Sequence, residues 1–458
     1  MITTTNPATG EKIAEYPVMS EQDALSAIEA THSAFITWRQ TDFSFRSERM
    51  RAVADILDQR KQELASLMMR EMGKPHAQGV AEIEKCATAC RYYAENAEGF
   101  LADEEIDLDG ARGLVCYQPL GVVLAVMPWN YPFWQVFRFA APTLMAGNAA
   151  LLRHASSVSG CALEIERLFL DAGFPRGLFT SLLVEKDTVA VLIADRNVRA
   201  VTLTGSTGAG RTIAAEAGKN LKKTVLELGG SDPYLILEDC ELELDKVVKC
   251  CAEARLQNAG QSCIAAKRFI VVDGVYERFL KLLEKEFADT LWGDPAEPQN
   301  DMGPMASEKL RDDLHDQVCR SVKAGARCVI GGEIPDKAGA WYPPTILADV
   351  SRGMTAYDEE LFGPVAIVIR ARDLEEAVCI ANSSDFGLGG GVFTSNEGEG
   401  KRIARELIDS GSVAVNGYVK SDPRMPFGGV KDSGYGRELS SFGIREFVNV
   451  KALTIGTL

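Results

Sequence analysis

The sequence predicts an α/β protein in which two successive domains are each built on a parallel sheet. From Gly113 onward, short runs rich in β-branched residues alternate with helical segments, which is typical of a parallel sheet with helices on both faces. The alternation restarts after the pair Gly229-Gly230. The length of 458 residues also exceeds the roughly 150 residues expected of one domain. We therefore place a hinge at residues 227–230, where the glycine pair ends a strand.

The individual elements follow from the spacing of apolar residues. The opening hundred residues or so repeat apolar positions at three and four spacing, which predicts helices at 21–38, 44–70 and 80–100. Strands of the first domain are expected at 121–127, 149–153, 180–184, 199–204 and 224–227. Those of the second are expected at 234–237, 269–272, 327–330, 365–369 and 412–415, with helices at 244–258 and 276–291.

Composition and charge exclude several classes of function. The 65 acidic residues outnumber the 49 basic ones and give a formal charge of −16, so neither nucleic acid nor an anionic membrane is an expected partner. The polar amino terminus has no secretory pattern, and the apolar stretch 113–129 is too short and interrupted to span a membrane. Eleven cysteines without a CxxC pair predict reduced thiols, and four histidines without an HExxH pattern predict no metal site. A cytoplasmic protein is expected.

A glycine-rich loop, Gly205-Ser206-Thr207-Gly208-Ala209-Gly210, separates a predicted strand from a helix at 211–217. Backbone N–H groups at such a turn bind phosphate well, so a nucleotide is a natural ligand. The triphosphatase loop would need a lysine where this chain has Arg211, and the two side chains are not equivalent. The spacing also differs from the GxGxxG fingerprint, so a simple tight turn remains open.

Three further residues could carry chemistry. Cys263 lies in a loop of small residues and could act as a nucleophile, although a buried structural thiol is the alternative. Glu227 ends an apolar strand and could serve as a base that activates water, or as a salt-bridged acid. Asn130, between Pro128 and Pro132, could donate its amide N–H to an oxyanion or belong to a structural turn.

Six motifs in this order resemble the aldehyde dehydrogenase superfamily: PWNYP, LTGSTGAG, LELGG, NAGQSC, EELFGPV and MPFGGVKDSGYGRE. The resemblance covers essentially the whole chain. It implies two Rossmann-like α/β domains with parallel-sheet cores and a small oligomerisation hairpin. The cofactor domain is expected at 1–226, with 105–117 in the hairpin, the catalytic domain at 227–433, and a segment at 434–458 that completes the oligomerisation region.

The resemblance also implies roles for the three candidates. Cys263 attacks the aldehyde, and Asn130 with the backbone N–H of Cys263 stabilises the oxyanion. After hydride transfer to a nicotinamide, Glu227 activates the water that hydrolyses the thioester.

Cofactor residues carry over from the same motifs. Glu360 and Phe362 match family positions that hold the nicotinamide ribose. The others implied by position in the cleft or at the phosphate loop are Trp129, Gly205, Ser206 and Gly210. Arg153 and Ser156 stand where the family commonly has lysine and glutamate; loss of the glutamate permits NADP, and Arg153 could pair with its phosphate. Either NAD or NADP is expected to work.

Arg138 matches the arginine that binds the substrate carboxylate in succinate-semialdehyde dehydrogenases; an ion pair is the alternative. The second arginine of those relatives is Gln257 here, for which Arg255 or Lys267 could compensate, and Ser421 could add a contact. We expect NAD(P)-dependent oxidation of succinate semialdehyde or a similar short carboxylated aldehyde. The first alternative is a broad aliphatic aldehyde dehydrogenase. A CoA-acylating or non-catalytic relative is less favoured by the sequence.

An oligomer is expected because the predicted hairpin would otherwise leave an unpaired apolar strand edge exposed. Residues 105–117 and 447–458 hold the positions of the family's strand hairpin, which completes a neighbour's sheet. A homodimer or homotetramer follows from this resemblance.

Overall fold

The structure is a computed structural model that describes residues 1–109 and 111–456. Its α-helices, in chain order, are α1 (Glu21–Trp38), α2 (Phe43–Met72), α3 (His76–Phe100), α4 (Trp134–Met145), α5 (Ser159–Asp171), α6 (Thr188–Ala194), α7 (Thr207–Lys219), α8 (Leu244–Leu256), α9 (Asp273–Asp289), α10 (Glu308–Lys323), α11 (Thr355–Asp358), α12 (Leu374–Asn382), α13 (Glu397–Glu406) and α14 (Ser440–Arg445). The three predicted opening helices are confirmed as α1, α2 and α3. The first begins where predicted because Ser20 and Asp23 form a reciprocal capping box.

The strands before residue 228 are β1 (Ile2–Thr5), β2 (Lys12–Tyr16), β3 (Glu104–Leu108), β4 (Ala111–Pro119), β5 (Val122–Met127), β6 (Ala149–His154), β7 (Phe179–Ser181), β8 (Val198–Thr204) and β9 (Lys223–Glu227). Those after it are β10 (Asp232–Ile236), β11 (Ala266–Val272), β12 (Arg327–Ile330), β13 (Thr345–Ala348), β14 (Val365–Ala371), β15 (Phe386–Gly387), β16 (Gly389–Phe393), β17 (Ser412–Val415), β18 (Val430–Lys431), β19 (Gly434–Tyr435) and β20 (Val448–Gly456).

Two mainly parallel sheets form the centre of the molecule. The first has the order β19-β9-β8-β5-β6-β7, and only β19 runs antiparallel to its neighbour. The second has the order β12-β13-β14-β11-β10-β16-β17, with β12 antiparallel at its edge. Each sheet has its own cluster of buried hydrophobic residues. The predicted α/β class with two parallel-sheet cores is confirmed.

A third, antiparallel sheet of order β20-β4-β3 lies outside these cores. The hairpin predicted at 105–117 corresponds to β3 and β4, and β20 supplies the third strand. Residues 434–435 do not join this sheet: β19 pairs with β9 beside Glu227, because Gly434 has a φ of +109° and lies against the Leu226 backbone. The division into domains at 226/227 and 433/434 remains a prediction.

Local differences from the predicted elements have physical causes. The strand β16 was missed because its first three residues are glycines, where a Cβ would overlap Asp232 at Gly389 and Tyr234 at Gly391. The strand expected at 180–184 ends at Ser181. Helix α7 begins at Thr207, four residues before the predicted start, because the Ser206 side chain caps it. Among the described residues, no helix is long and apolar enough to cross a bilayer.

Candidate active site

Cys263 follows α8 through an unusual turn. Asn258, Ala259 and Gly260 have consecutive φ values of 55°, 52° and 68°, all in the left-handed region. Such a conformation costs about 1–3 kcal/mol for a residue other than glycine, and glycine is required at position 260 because a Cβ there would overlap the Gly363 carbonyl. The surrounding structure therefore has to hold this loop in place.

Two buried cations hold the loop through its carbonyl groups. The Arg255 guanidinium donates to the Gly260 oxygen at 2.7 Å and to the Gly363 oxygen. The Lys267 ammonium donates to the carbonyl oxygens of Ser262 (3.0 Å) and Cys263 (2.7 Å). Each of these two cations thus binds the backbone of the loop, and the suggestion that Arg255 or Lys267 could replace the missing substrate arginine stays a prediction.

The Cys263 thiol sits in a buried environment with opposing charges nearby. Burial raises the pKa of the Cys263 thiol to about 11, whereas Arg138 and Lys267 act to lower it. At neutral pH the thiol of the free protein is thus protonated. A nucleophile of this kind gains reactivity as a nearby group accepts its proton or as a bound ligand changes the local field.

Asn130 lies beside this loop, in the turn between β5 and α4. Its side-chain N–H₂ donates to the Gln261 oxygen at 3.0 Å, and its side-chain oxygen accepts from Gln135 at 3.0 Å. Asn258 donates to the Asn130 backbone oxygen at 2.9 Å. An amide nitrogen has two protons, so a second N–H remains for a developing oxyanion. The structure therefore brings the predicted oxyanion donor and the predicted nucleophile's loop together.

A buried ion pair that the sequence did not reveal fixes this turn from behind. One Glu82 oxygen accepts hydrogen bonds from the backbone N–H groups of Phe133 and Trp134, both at 2.9 Å. The other oxygen pairs with Lys74, whose ammonium also lies 3.8 Å from the centre of the Tyr131 ring. The carboxylate at the start of α4 thus stabilises the helix terminus and orients the Asn130 turn.

Glu227 occupies the end of β9 and is only 2% exposed. Within the described chain, neither carboxyl oxygen has a hydrogen-bond partner. Burial, together with the nearby Glu438, raises its pKa well above the usual range, whereas Arg138 and Arg437 act to lower it. A buried acid with a raised pKa is suited to exchange a proton with water.

Arg138 is close enough to both groups to lower the pKa of Glu227 and of the Cys263 thiol. Its own guanidinium is paired with the buried Glu438 carboxylate and lies 4.7 Å from the centre of the Phe427 ring. Of the two interpretations of Arg138, the ion pair is what the structure shows. A contact with a substrate carboxylate stays a prediction.

The buried pair predicts a stability effect. Replacing Arg138 with alanine leaves Glu438 uncompensated in the interior, which should lower the free energy of unfolding by about 3–5 kcal/mol. Urea unfolding followed by circular dichroism measures this loss. The double variant Arg138→Met with Glu438→Leu is the control and should recover most of it. Equal unfolding midpoints for Arg138→Ala and the unaltered protein would show that the pair has no net effect.

The predicted nicotinamide residues converge on the same loop. The Trp129 and Phe362 rings meet edge to face with centres 5.9 Å apart. Glu360 accepts a hydrogen bond from the Gly230 N–H at 3.1 Å and forms an ion pair with Lys267 at 3.1 Å. Lys267 therefore connects the Glu360 carboxylate to the carbonyl of Cys263.

The glycine-rich loop fits a phosphate only in part. The Gly205 N–H donates to the Glu227 carbonyl at 3.0 Å, and the Gly210 N–H donates to the Ser206 carbonyl at 2.9 Å, so neither is free for a ligand. Gly210 instead allows close packing, since a Cβ there would lie 2.6 Å from Leu228. Both glycines were predicted to bind the cofactor as part of a loop. Helix α7 starts earlier than predicted, so Gly210 lies inside the helix. The prediction now depends on Ser206 at the amino end of α7.

Arg153 lies near the carboxyl end of β6, and Ser156 lies three residues further along the chain. The buried Arg153 Nε has no hydrogen-bond partner among the described residues. Ser156 is exposed and opens a short 3-10 turn before α5. An unpaired guanidinium N–H beside an exposed serine fits a phosphate group.

The two remaining substrate candidates lie in different surroundings. Gln257 is exposed at the end of α8. Ser421 is buried, and its hydroxyl accepts hydrogen bonds from Lys85 Nζ at 2.7 Å and from Trp134 Nε1 at 3.0 Å. Lys85 was not predicted, because it lies on α3 and far from Ser421 in sequence.

Comparison with known proteins identifies the family of this chain. The sequence model of the aldehyde dehydrogenase family matches residues 1–453. A probable NADP(+)-dependent succinate-semialdehyde dehydrogenase of Synechocystis is 48% identical over 454 residues, covering 99% of both chains. An NAD(P)+-dependent succinate semialdehyde dehydrogenase of Escherichia coli is 45% identical, covering 98% of this chain and 96% of the relative. The crystal structure of succinic semialdehyde dehydrogenase from Streptococcus pyogenes with NADP+ has a TM-score of 0.97 at 39% identity, covering 100% of both chains. The chain belongs to the aldehyde dehydrogenase family.

Proposed function

We propose that this protein oxidises succinate semialdehyde, or a similar short carboxylated aldehyde, to the acid with NAD or NADP. The observation that carries the proposal is the placement of the Asn130 amide against the Cys263 loop, together with the Lys85 cation at Ser421. Relatives that are 45–48% identical over nearly the whole chain bear that activity in their names.

In the proposed reaction the Cys263 thiol releases its proton to solvent, and the sulfur adds to the aldehyde carbonyl to form a thiohemiacetal in its oxyanion form. The remaining N–H of Asn130 and the backbone N–H of Cys263 stabilise the oxyanion. A bound NAD or NADP would supply the acceptor for the hydride of the thiohemiacetal carbon. The product on the protein is a thioester of Cys263, which is reactive enough for water to cleave it.

Glu227 accepts the proton of the hydrolytic water. Because burial and the nearby Glu438 raise its pKa well above the usual range, its ionised fraction grows over a higher pH range than that of an ordinary carboxyl. Arg138 and Arg437 favour the ionised form, so they support the base at the moment when it is needed. Deacylation should therefore accelerate as the pH rises through this raised range.

The residues at the end of β6 fit a cofactor that carries a 2′-phosphate. Replacing Ser156 with glutamate should lower kcat/KM for NADP by about tenfold or more and leave NAD less affected, since like charges repel. Initial rates with each cofactor at saturating aldehyde measure this. Ser156→Gln is the control of equal size without the charge. Equal losses with both cofactors in the glutamate variant would mean that this position does not face the phosphate.

The substrate assignment is tested by comparing succinate semialdehyde with butanal, the uncharged aldehyde of equal length. The rate of formation of reduced cofactor gives kcat/KM for each. A clear preference for succinate semialdehyde supports the proposal. Equal kcat/KM values would leave the assignment of dehydrogenase activity in place but contradict the proposed substrate, and would favour a broad aliphatic aldehyde dehydrogenase.

We further propose a homodimer or homotetramer that works in the cytoplasm. The sheet β20-β4-β3 exposes Ile106, Leu108, Val450, Leu453 and Ile455, each at least 39% exposed, along strands that a second copy could cover. The cysteines are all free, which suits a reducing compartment.

A further inference from the structure

Lys85 is a half-buried cation on α3 that the proposed mechanism does not use. Its ammonium donates to the Ser421 hydroxyl at 2.7 Å and lies 4.1 Å from the centre of the Trp134 ring. Trp134 donates to the same hydroxyl at 3.0 Å. The Ser421 oxygen thus accepts two hydrogen bonds, which leaves its own O–H to donate to another group.

No carboxylate among the described residues lies within ion-pair distance of Lys85. The two acidic residues that act on it are otherwise engaged: Glu82 pairs with Lys74, and Asp422 pairs with Arg424 at 2.7 Å. The neighbouring Arg138 adds positive charge, but Glu438 neutralises it. The charge of Lys85 is thus uncompensated in a partly buried position, and such a charge is costly unless an anion joins it.

Helix α4 links this cation to the groups of the proposed reaction. Trp134 opens α4, four residues after Asn130, and Arg138 on the same helix acts on the pKa of both Lys85 and the Cys263 thiol. A short molecule with an aldehyde at Cys263 and an anion at its other end therefore has a cation within reach on this side.

We infer that Lys85, held in place by Ser421, binds the carboxylate of the aldehyde substrate. The inference rests on the proposed function and names the residue that takes the place of the arginine replaced by Gln257. The substrate carboxylate accepts hydrogen bonds from the Lys85 ammonium and the Ser421 O–H, and Trp134 orients both. Lys85 is then a residue of substrate specificity and takes no part in the chemistry on Cys263.

The state of Lys85 also predicts a pH dependence. Burial, and next Arg138, lower the pKa of Lys85 to about 8. The groups that face it are Glu82 and Cys86 on α3, Arg138 on α4, and Asp422 after Ser421. As the pH rises through about 8, Lys85 loses its proton and the attraction for a carboxylate disappears. The ratio of kcat/KM for succinate semialdehyde to that for butanal should therefore fall. Titration of the Cys263 thiol affects both aldehydes equally, so it does not change this ratio.

The experiment compares Lys85→Met, Lys85→Arg and the control Lys61→Met with the unaltered protein on both aldehydes. Lys61 is a surface residue of α2 paired with Glu84, so its replacement should leave the ratio unchanged. Lys85→Met should lower the ratio by about tenfold to a hundredfold. Lys85→Arg should retain much of the preference and remove its decline above pH 8, because arginine stays charged.

The outcomes separate this inference from the proposed function. If the unaltered protein shows no preference for succinate semialdehyde, the proposed substrate is wrong. If it shows the preference and Lys85→Met keeps the same ratio, or loses activity equally on both aldehydes, Lys85 does not bind the carboxylate. A ratio that declines with pH equally in Lys85→Arg would also overturn the inference.

Discussion

Replacing Cys263 with alanine should lower kcat by roughly 10⁴-fold or more, because no other group in the loop can form the covalent intermediate. The fold should persist, since the loop is held by Arg255 and Lys267 through backbone carbonyls rather than through the thiol. Formation of reduced cofactor from succinate semialdehyde measures the loss, and circular dichroism checks the fold.

Cys319→Ala is the matched control. Cys319 is an exposed thiol on α10, and its replacement should leave turnover unaltered. Turnover that survives in Cys263→Ala, or that disappears in Cys319→Ala, would show that Cys263 is not the nucleophile.

Replacing Glu227 with glutamine should uncouple the two halves of the reaction. Addition of the thiol and loss of hydride do not need Glu227 in the proposed mechanism, so one equivalent of reduced cofactor should form per active site. Steady-state turnover should then fall by roughly 10²–10⁴-fold, the usual contribution of a general base. Stopped-flow absorbance records the burst and the slow phase that follows.

Glu29→Gln, an exposed change on α1, serves as the control and should keep both phases. A Glu227→Gln variant that lacks the burst would place Glu227 in the first half of the reaction. A variant with unaltered steady-state turnover would remove it from the mechanism.

Much of the fold could be predicted because local patterns and tertiary packing agree. Helix α1 has its predicted bounds, since Ser20 caps it and apolar residues recur on one face. Strand β17 also matches its predicted range. Strand β16 could not be predicted because its glycines are required by Tyr234 and Asp232, which lie more than a hundred residues away in sequence. Contacts of that range leave no local pattern.

The candidate site shows the same limit. Cys263, Asn130 and Glu227 stand in recognisable motifs, but the motifs carry no sign of the partners that set their environment. Glu438 closes the ion pair with Arg138 from the far end of the chain, and Lys85 reaches Ser421 from α3. A buried charge and its partner need only be close in space, so a single sequence does not reveal which carboxylate or hydroxyl will meet which cation.

Trapping the thioester on Cys263 is the decisive measurement, because oxidation of the aldehyde through this residue requires that intermediate. Glu227→Gln is mixed with succinate semialdehyde and NADP, quenched in acid after the burst, digested and examined by mass spectrometry. We expect one succinyl group on the peptide that contains Cys263, and none after the same treatment of Cys263→Ala. A burst of reduced cofactor with this peptide unmodified, or with the succinyl group on another cysteine, would contradict it.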